Sequence, residues 1–395
     1  MPGFEWFGDE ERAEVGDVLE TGVLFRYGFD DARQGHWKAR TFEEELAARL
    51  GTKHAHLCSS GTAALNVAMA ACGIGVGDEV IVPPFTFIAT IEGVLAAGAI
   101  PVFADIDETL CLDPGSVADR LTDMTRAVVP VHMCGSMARI GELQSVCREA
   151  GVALIEDTAQ ALGASFEGRA LGTFGDMGCF SFDPVKTITC GEGGAVITDD
   201  AALYHRAEQY ADHGHDHVGS DRGAEGHPIL GTNYRISELG AAVGLAQLRK
   251  LDRILEVQRR NKARLREAFA ASGSLRFREI PDPSGDSATF LSVLAPDEDT
   301  ARSWTASLAE AGVPGCFYWY DNNWHYPRKW DHLRELRTPG RSPLTLLDPQ
   351  PDLAAQDISR SDDIMSRTIS MLVKLSWTDA ELESIQQRIS AALED

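Results

Sequence analysis

Between residues 42 and 156 short apolar runs alternate with stretches of helical periodicity, and that alternation leaves few folds open. Residues 42–50 (FEEELAARL) read as an amphipathic helix, 55–58 as a strand, and 63–72 (AALNVAMAAC) as a helix. Residues 79–83 (EVIVP) follow as strand, 86–97 as helix and 100–105 (IPVFAD) as strand. Residues 126–131 (RAVVPV), a helix over 137–150 and a strand over 152–156 (VALIE) continue the series. Strands separated by helices of about 10–15 residues form βαβ units, which predicts an α/β fold with a mostly parallel sheet.

The pattern changes near Ser237. From there to about Ala271 apolar residues recur at helical spacing (Leu239, Val243, Leu248, Leu251, Ile254, Val257), which predicts one long helix. A helix of that length bridges two domains or crosses a dimer interface. Beyond it, a strand over 289–295, a helix over 301–312 and a last helix from Thr378 predict a smaller α+β unit. The expected division is a large domain over 1–250, with an N-terminal arm, and a small one over 251–395. Residues 338–360 are rich in Pro, Asp and Arg and read as a long excursion.

Charge narrows the function. Lys and Arg number 36 against 60 Asp and Glu, a net charge of −24. Such a surface repels phosphate backbones and anionic lipids, so neither nucleic acid nor a membrane surface is an expected partner. Any anion site must then be local, built from backbone amides or a few cations. The eight cysteines include no Cys-x-x-Cys pair, and several lie in apolar runs. That pattern predicts buried, reduced thiols in a cytoplasmic protein, with no structural zinc. The acidic N-terminus (MPGFEWFGDEERAEV) does not read as a signal peptide, and no apolar run is long enough to span a membrane.

Four short motifs carry chemistry. Ser59-Ser60-Gly61-Thr62 precedes a helix, where free backbone amides and hydroxyls make an anion pocket; an ordinary helix cap reads the same. Pro83-Pro84-Phe85-Thr86-Phe87 follows a strand, at the end of an open sheet where ligands bind. Phe87 there can lie flat on a planar ring or simply fill core. Glu156-Asp157-Thr158-Ala159-Gln160 ends another apolar strand. A carboxylate at that depth requires a cation or strong donors. The protonated pyridine nitrogen of pyridoxal phosphate is one such partner, with Gln160 donating to the ring oxygen; an N-cap is the other reading of Asp157. Last, Lys186 lies between Phe180-Ser181-Phe182 and Gly191-Glu192-Gly193-Gly194. A single, partly desolvated amine suits covalent attachment to a carbonyl, and Ser181 is placed to reach a phosphate.

Taken in order, SGTAAL, PPFTFIAT, EDTAQALGA, FSFDPVKTITCGEGGAVIT and LGTNYR resemble the fold-type I pyridoxal phosphate enzymes of the DegT/DnrJ/EryC1/StrS sugar aminotransferase family. The resemblance implies a seven-stranded, mostly parallel sheet and pyridoxal 5'-phosphate as cofactor. It implies Lys186 as the residue that joins the cofactor, Asp157 at the ring nitrogen, Gln160 at the ring hydroxyl and Phe87 as the stacking residue. Ser60, Gly61, Thr62 and Ser181 are implied to hold the phosphate, and Asn233 to reach the cofactor of a neighbouring subunit, making the active unit a homodimer. Lysine rather than histidine at position 186 favours transamination over dehydration.

Further landmarks (FRYGF at 25–29, VHMCGS at 131–136, DHGHDH at 212–217, CFYWYDNNWH at 316–325) are similar to the family members that aminate the C8 aldehyde of 8-oxo-3-deoxy-manno-octulosonate with L-glutamate as donor, giving 8-amino-3,8-dideoxy-manno-octulosonate. An aminotransferase for a nucleotide-linked or antibiotic-pathway keto-sugar is the alternative, and a non-catalytic pyridoxal-binding regulator a third reading. The substrate contacts expected are Arg26, Tyr27, His132, His213, His215, Tyr318, Tyr320, Asn323 and His325. The alternating His213, His215 and His217 would share one face of a strand and could bind metal, or in a loop could contact sugar; no metal is expected. Arg26, Arg235 and Arg367 are candidates for substrate carboxylates, with surface salt bridges as the other reading.

Overall fold

The computed structural model describes residues 3–219, 222–271 and 273–393. Its largest element is a sheet of seven strands: β1 (His54–Cys58), β2 (Glu79–Val82), β3 (Ile100–Phe103), β4 (Thr125–Val128), β5 (Ala153–Asp157), β6 (Met177–Ser181) and β7 (Gly194–Thr198). Their spatial order is β1-β7-β6-β5-β4-β2-β3. The pairs β2/β3, β2/β4, β4/β5 and β5/β6 are parallel, and β7 runs against both β6 and β1. Every residue of β6 and β7 is buried, as expected where helices cover both faces of a sheet.

The helix Gly61–Ala71 is apolar on nearly all sides: Ala63, Ala64, Leu65, Val67, Ala68, Met69 and Ala71 are buried. A helix of that kind must be sandwiched, and it lies in the core with β1, β2, β4, β5 and β6. The amphipathic helix Ile140–Ala150 buries only Ile140, Leu143 and Cys147, in the core that also takes in Phe290, Trp319 and Tyr320.

A second sheet of β8 (Arg276–Phe277), β9 (Phe290–Leu294), β10 (Cys316–Phe317) and β11 (Thr368–Leu372) has the order β8-β9-β11-β10. All its pairs are antiparallel, and helices Leu251–Ala270, Glu298–Glu310 and Asp379–Ala392 share its core.

Two sequence expectations change. The single helix over 237–271 is two, Glu238–Arg249 and Leu251–Ala270, broken at Lys250 (φ −92°, ψ −6°). Lys250 Nζ reaches the Trp6 carbonyl (3.0 Å) and both Glu11 oxygens (2.7 and 2.8 Å). Apolar periodicity does not register one residue leaving helical geometry. The excursion also has a structural role. Within it, Leu344 and Leu353 are buried in the core of the large sheet. Gln356 then completes the edge strand β3, accepting from the Phe103 N–H (2.6 Å) and donating to the Pro101 carbonyl (2.9 Å). An open strand edge is thereby covered.

All eight cysteines are free thiols, six of them buried. Among the described residues no helix is long and apolar enough to cross a membrane.

Candidate active site

The C-terminal ends of β1, β2, β5 and β6 converge, and each delivers one of the four motifs. After β1, Ser60 is extended (φ −165°, ψ 169°) and its Oγ accepts from Ala63 N at 3.0 Å. Its hydroxyl oxygen therefore caps the helix Gly61–Ala71. The first amides of that helix have no intrahelical acceptor and face the cavity with the positive end of the helix. Gly61 is required here: a Cβ would stand 2.6 Å from Ser181 Cβ and 2.9 Å from its Oγ.

Asp157 ends β5 and is buried. Its Oδ2 accepts from Thr90 Oγ1 (2.8 Å) and its Oδ1 from Ala159 N (3.1 Å). Thr90 Oγ1 also lies 2.7 Å from Thr86 Oγ1. Burial raises the Asp157 pKa, while the Thr90 hydroxyl, the Ala159 amide and the charge of Lys186 pull it back. Among the described residues no cation forms an ion pair with Asp157. Gln160 accepts from Cys134 N through Oε1 (3.0 Å), so its amide N–H groups are what it can offer.

Lys186 follows β6 and is 8% exposed. Its Nζ is 3.5 Å from Asp183 Oδ2 and 5.9 Å from the centre of the Phe87 ring. Phe87 is in turn parallel to Trp324 (centroids 5.7 Å apart, 3° between planes). The loop carrying Trp324 is pinned there, since Thr86 N donates to His325 O (3.1 Å) and Ile88 N to Trp324 O (3.0 Å).

One cavity of about 450 Å³ is lined by Ser60, Gly61, Thr62, Phe87, Asp157, Gln160, Ser181 and Lys186, eight of the nine positions expected to bind cofactor. A second, of about 590 Å³, adjoins it through Phe87, Gln160, Asp183, Lys186 and Trp324. Its far wall comes from the small sheet and the 316–325 run: Phe317, Trp319, Asn322 and His325. Burial, with the charge of Lys186, lowers the His325 pKa to about 3, so its ring is neutral, and Nδ1 lies 3.2 Å from Asn322 Oδ1.

Several expected positions lie elsewhere. His132 is fully buried between Glu156 Oε2 (3.0 Å from Nε2) and Ala138 N, which donates to Nδ1 (3.2 Å). It braces the strand ends beneath the cavity and is not open to a substrate. Tyr318, Tyr320 and Asn323 line neither cavity; the short turn Trp319–Asp321 directs Trp319 inward, while Tyr318 donates to Ser366 O (2.8 Å). Arg26 is held by Glu43 (2.7 Å) and the Leu57 carbonyl (3.0 Å), Arg235 by Asp212, and Arg367 by Asp363 (2.7 Å). None of the three lines either of these two cavities.

The histidines are not on a strand. His213 and His217 have positive φ (56° and 54°). His215 pairs with Glu225 (2.9 Å) and His217 lies 3.5 Å from Asp212, in a loop that sets the His217 ring against Tyr27 (centroids 5.0 Å apart, planes tilted by 31°). Asn233 forms an isolated bridge with Asp212. Reasoning from sequence missed Thr86, Thr90, Trp324 and Lys374. Thr86 lies in the bend after β2 and Thr90 in the first turn of the helix Ala89–Ala96, so helical spacing along the chain does not announce that the two hydroxyls meet.

The donor set fits pyridoxal 5'-phosphate. A buried carboxylate without a cation awaits a protonated ring nitrogen, a helix N-terminus offers amides to a phosphate, and a desolvated amine faces the same space. Comparison with known proteins agrees with this reading. The sequence profile described as the DegT/DnrJ/EryC1/StrS aminotransferase family matches residues 8–390. The chain is 38% identical over 307 residues to the L-glutamine:2-deoxy-scyllo-inosose aminotransferase of Streptomyces kanamyceticus, covering 71% of each chain. It is 42% identical over 250 residues to the GDP-perosamine synthase of Vibrio cholerae, covering 63% of this chain and 65% of that one. Among solved structures, 3-amino-5-hydroxybenzoic acid synthase superposes with a TM-score of 0.81 at 30% identity, over 99% of this chain and 98% of that one. The chain thus belongs to the DegT/DnrJ/EryC1/StrS family and is a pyridoxal-phosphate-dependent sugar aminotransferase.

Proposed function

We propose that this enzyme moves an amino group from L-glutamate to the C8 aldehyde of 8-oxo-3-deoxy-manno-octulosonate. The observation that supports the reaction class is the meeting of Lys186 and Asp157 in one cavity. Bound pyridoxal phosphate supplies an electron-withdrawing ring onto which the charge left by α-proton removal can spread. Lys186 Nζ takes that proton from the donor's α-carbon and, in the second half of the cycle, hands one to the acceptor carbon that becomes the amine carbon. Asp157 keeps the ring nitrogen protonated, with Thr90 holding its Oδ2 (2.8 Å). Asp183, 3.5 Å away, orients the Lys186 ammonium. With the cofactor bound, Gln160 would donate to the ring oxygen, Ser181 and the amides of Gly61 and Thr62 would bind the phosphate, and Phe87 would cover the ring.

The aromatic and amide wall of the second cavity, with Trp324 and His325, supports a polyhydroxylated acceptor of free-sugar size. A second reading, amination of a keto-sugar or keto-cyclitol, is favoured by the relatives that act on 2-deoxy-scyllo-inosose.

The same proposal includes a homodimer with shared active sites. Arg26, Tyr27, His213, His215 and Asn233 gather away from this chain's own cavities. Leu24, Phe29, Val218 and Leu230 near them are exposed, Leu230 by 95%. An apolar rim of that kind fits burial against a second copy, whose cavity Tyr27, His213, His215 and Asn233 would complete, while Arg26 stays bound to Glu43.

The test is purified enzyme with glutamate or glutamine and a panel of sugar aldehydes and ketones, scored by product mass. Amination of the eight-carbon aldehyde is expected. Amination of keto-sugars alone would select the second reading, and turnover by Lys186→Ala equal to wild type would overturn the reaction class.

A further inference from the structure

An amino acid donor carries a carboxylate, and a free sugar acid carries another. Some cation in the cavity has to meet them, in a chain whose net charge is −24. The three arginines that looked suited are each committed to a carboxylate of this chain and line neither cavity. Lys186 is occupied by cofactor and by proton transfer. One other cation lines the second cavity, Lys374.

Backbone alternation shows where it faces. Leu372, Lys374 and Ser376 all line the cavity. Val373 and Leu375, between them, are buried in the protein core (0% and 4% exposed). An extended chain sends alternate side chains to opposite sides, so the Lys374 side chain is on the cavity side. Its register is held from behind: Val373 N donates to Thr289 O (2.9 Å) and Asn261 Nδ2 to the Lys374 carbonyl (2.8 Å). Its ammonium makes no ion pair or hydrogen bond among the described residues. Glu5, a carboxylate of the same wall, spends one oxygen on the Ser376 N–H (2.7 Å) and forms no ion pair with Lys374 among the described residues. Asp183, the other carboxylate of the wall, pairs with Lys186. A half-buried, unpartnered ammonium beside apolar walls (Phe317, Trp319, Leu372) is a carboxylate receptor.

We propose that Lys374 binds a substrate carboxylate and so orients the amino acid donor, or the sugar acid, over Lys186. The inference rests on the aminotransferase reading of the site. It is tested on the holoenzyme with Lys374→Met, which keeps the aliphatic stem, and Lys374→Arg, which keeps the charge. Glutarate, a dicarboxylate with no transferable group, serves as the binding probe in isothermal titration calorimetry. Loss of one charge-assisted contact is expected to weaken glutarate on the order of 10- to 100-fold in Lys374→Met and much less in Lys374→Arg. Stopped-flow cofactor absorbance then follows each half-reaction alone. A raised half-saturation in the glutamate half, with the limiting rate nearly kept, assigns the donor's carboxylate; a defect confined to the sugar half assigns the acceptor's. Unchanged glutarate affinity and unchanged half-reactions in a Lys374→Met enzyme with wild-type melting temperature would overturn the proposal. Failure of the wild-type enzyme to aminate any sugar would instead overturn the functional reading on which it rests.

Discussion

Replacing Thr90 by valine removes one hydroxyl and almost no volume, which isolates a single hydrogen bond at the deepest point of the site. Thr90 Oγ1 donates to Asp157 Oδ2 at 2.8 Å, and Thr86 Oγ1 stands behind it at 2.7 Å. Asp157 is 4% exposed, and burial already raises its pKa. A hydrogen bond to a buried charged group contributes about 1.5–3 kcal/mol, so its loss should raise that pKa further by about 1–2 pH units. The sign follows from which form is stabilised. The hydroxyl favours the carboxylate, and the carboxylate is the form that can hold a protonated ring nitrogen. Thr90→Val should therefore weaken pyridoxal phosphate binding on the order of 10- to 100-fold. The pH below which affinity falls should move upward by the same 1–2 units. The assay is titration of apoprotein with cofactor, followed by tryptophan fluorescence from pH 5 to pH 9. Thr90→Ser should restore most of the affinity. Wild-type affinity and an unshifted pH profile in Thr90→Val would refute the idea that this hydroxyl sets the charge state of Asp157.

Two further outcomes follow from local geometry. Gly61→Ala places a methyl group 2.6 Å from Ser181 Cβ, so the phosphate pocket must open; cofactor affinity measured by equilibrium dialysis should fall at least about tenfold, with the melting temperature of the apoprotein changing less. Glu208 has its pKa raised to about 7 by burial, with Glu43 adding repulsion. A carboxyl group raised in the folded state contributes stability that is fully present below its unfolded value near 4.5 and is lost as pH rises through about 7. Glu208→Gln should therefore raise the melting temperature at pH 8 by a few degrees and leave it nearly unchanged at pH 4, read by calorimetry; equal effects at both pH values would remove Glu208 from the account.

The local grammar of the large sheet is written in residues 54–157. Apolar runs of four or five residues between Ala-rich or amphipathic stretches can be satisfied only by buried strands with helices on both faces, and the strands form where those runs stand. The same runs place SSGT, PPFTF, EDTAQ and the Lys186 loop at strand ends, because each motif directly follows one. Strand order is not local. Nothing near Gly194–Thr198 announces that this strand inserts between β1 and β6 and runs against both.

What the chain's order alone determined, then, is the cofactor chemistry, since Gly61, Asp157, Gln160, Ser181 and Lys186 owe their positions to the strand just before each of them. What only the tertiary structure decided is the substrate wall and the pairing of charges. The Thr90 hydroxyl meets Asp157 across 67 residues, and Lys374 reaches the same space from the small sheet, 188 positions after Lys186. Whether a given Arg or His is spent on an internal carboxylate or left free depends on which surfaces close upon it. Arg26 was spent on Glu43 and His132 on Glu156, while Lys374 was left without a partner. Electrostatic and hydrogen-bonding energies fall off within a few ångströms, so only the folded distances, and not the spacing along the chain, assign those partners.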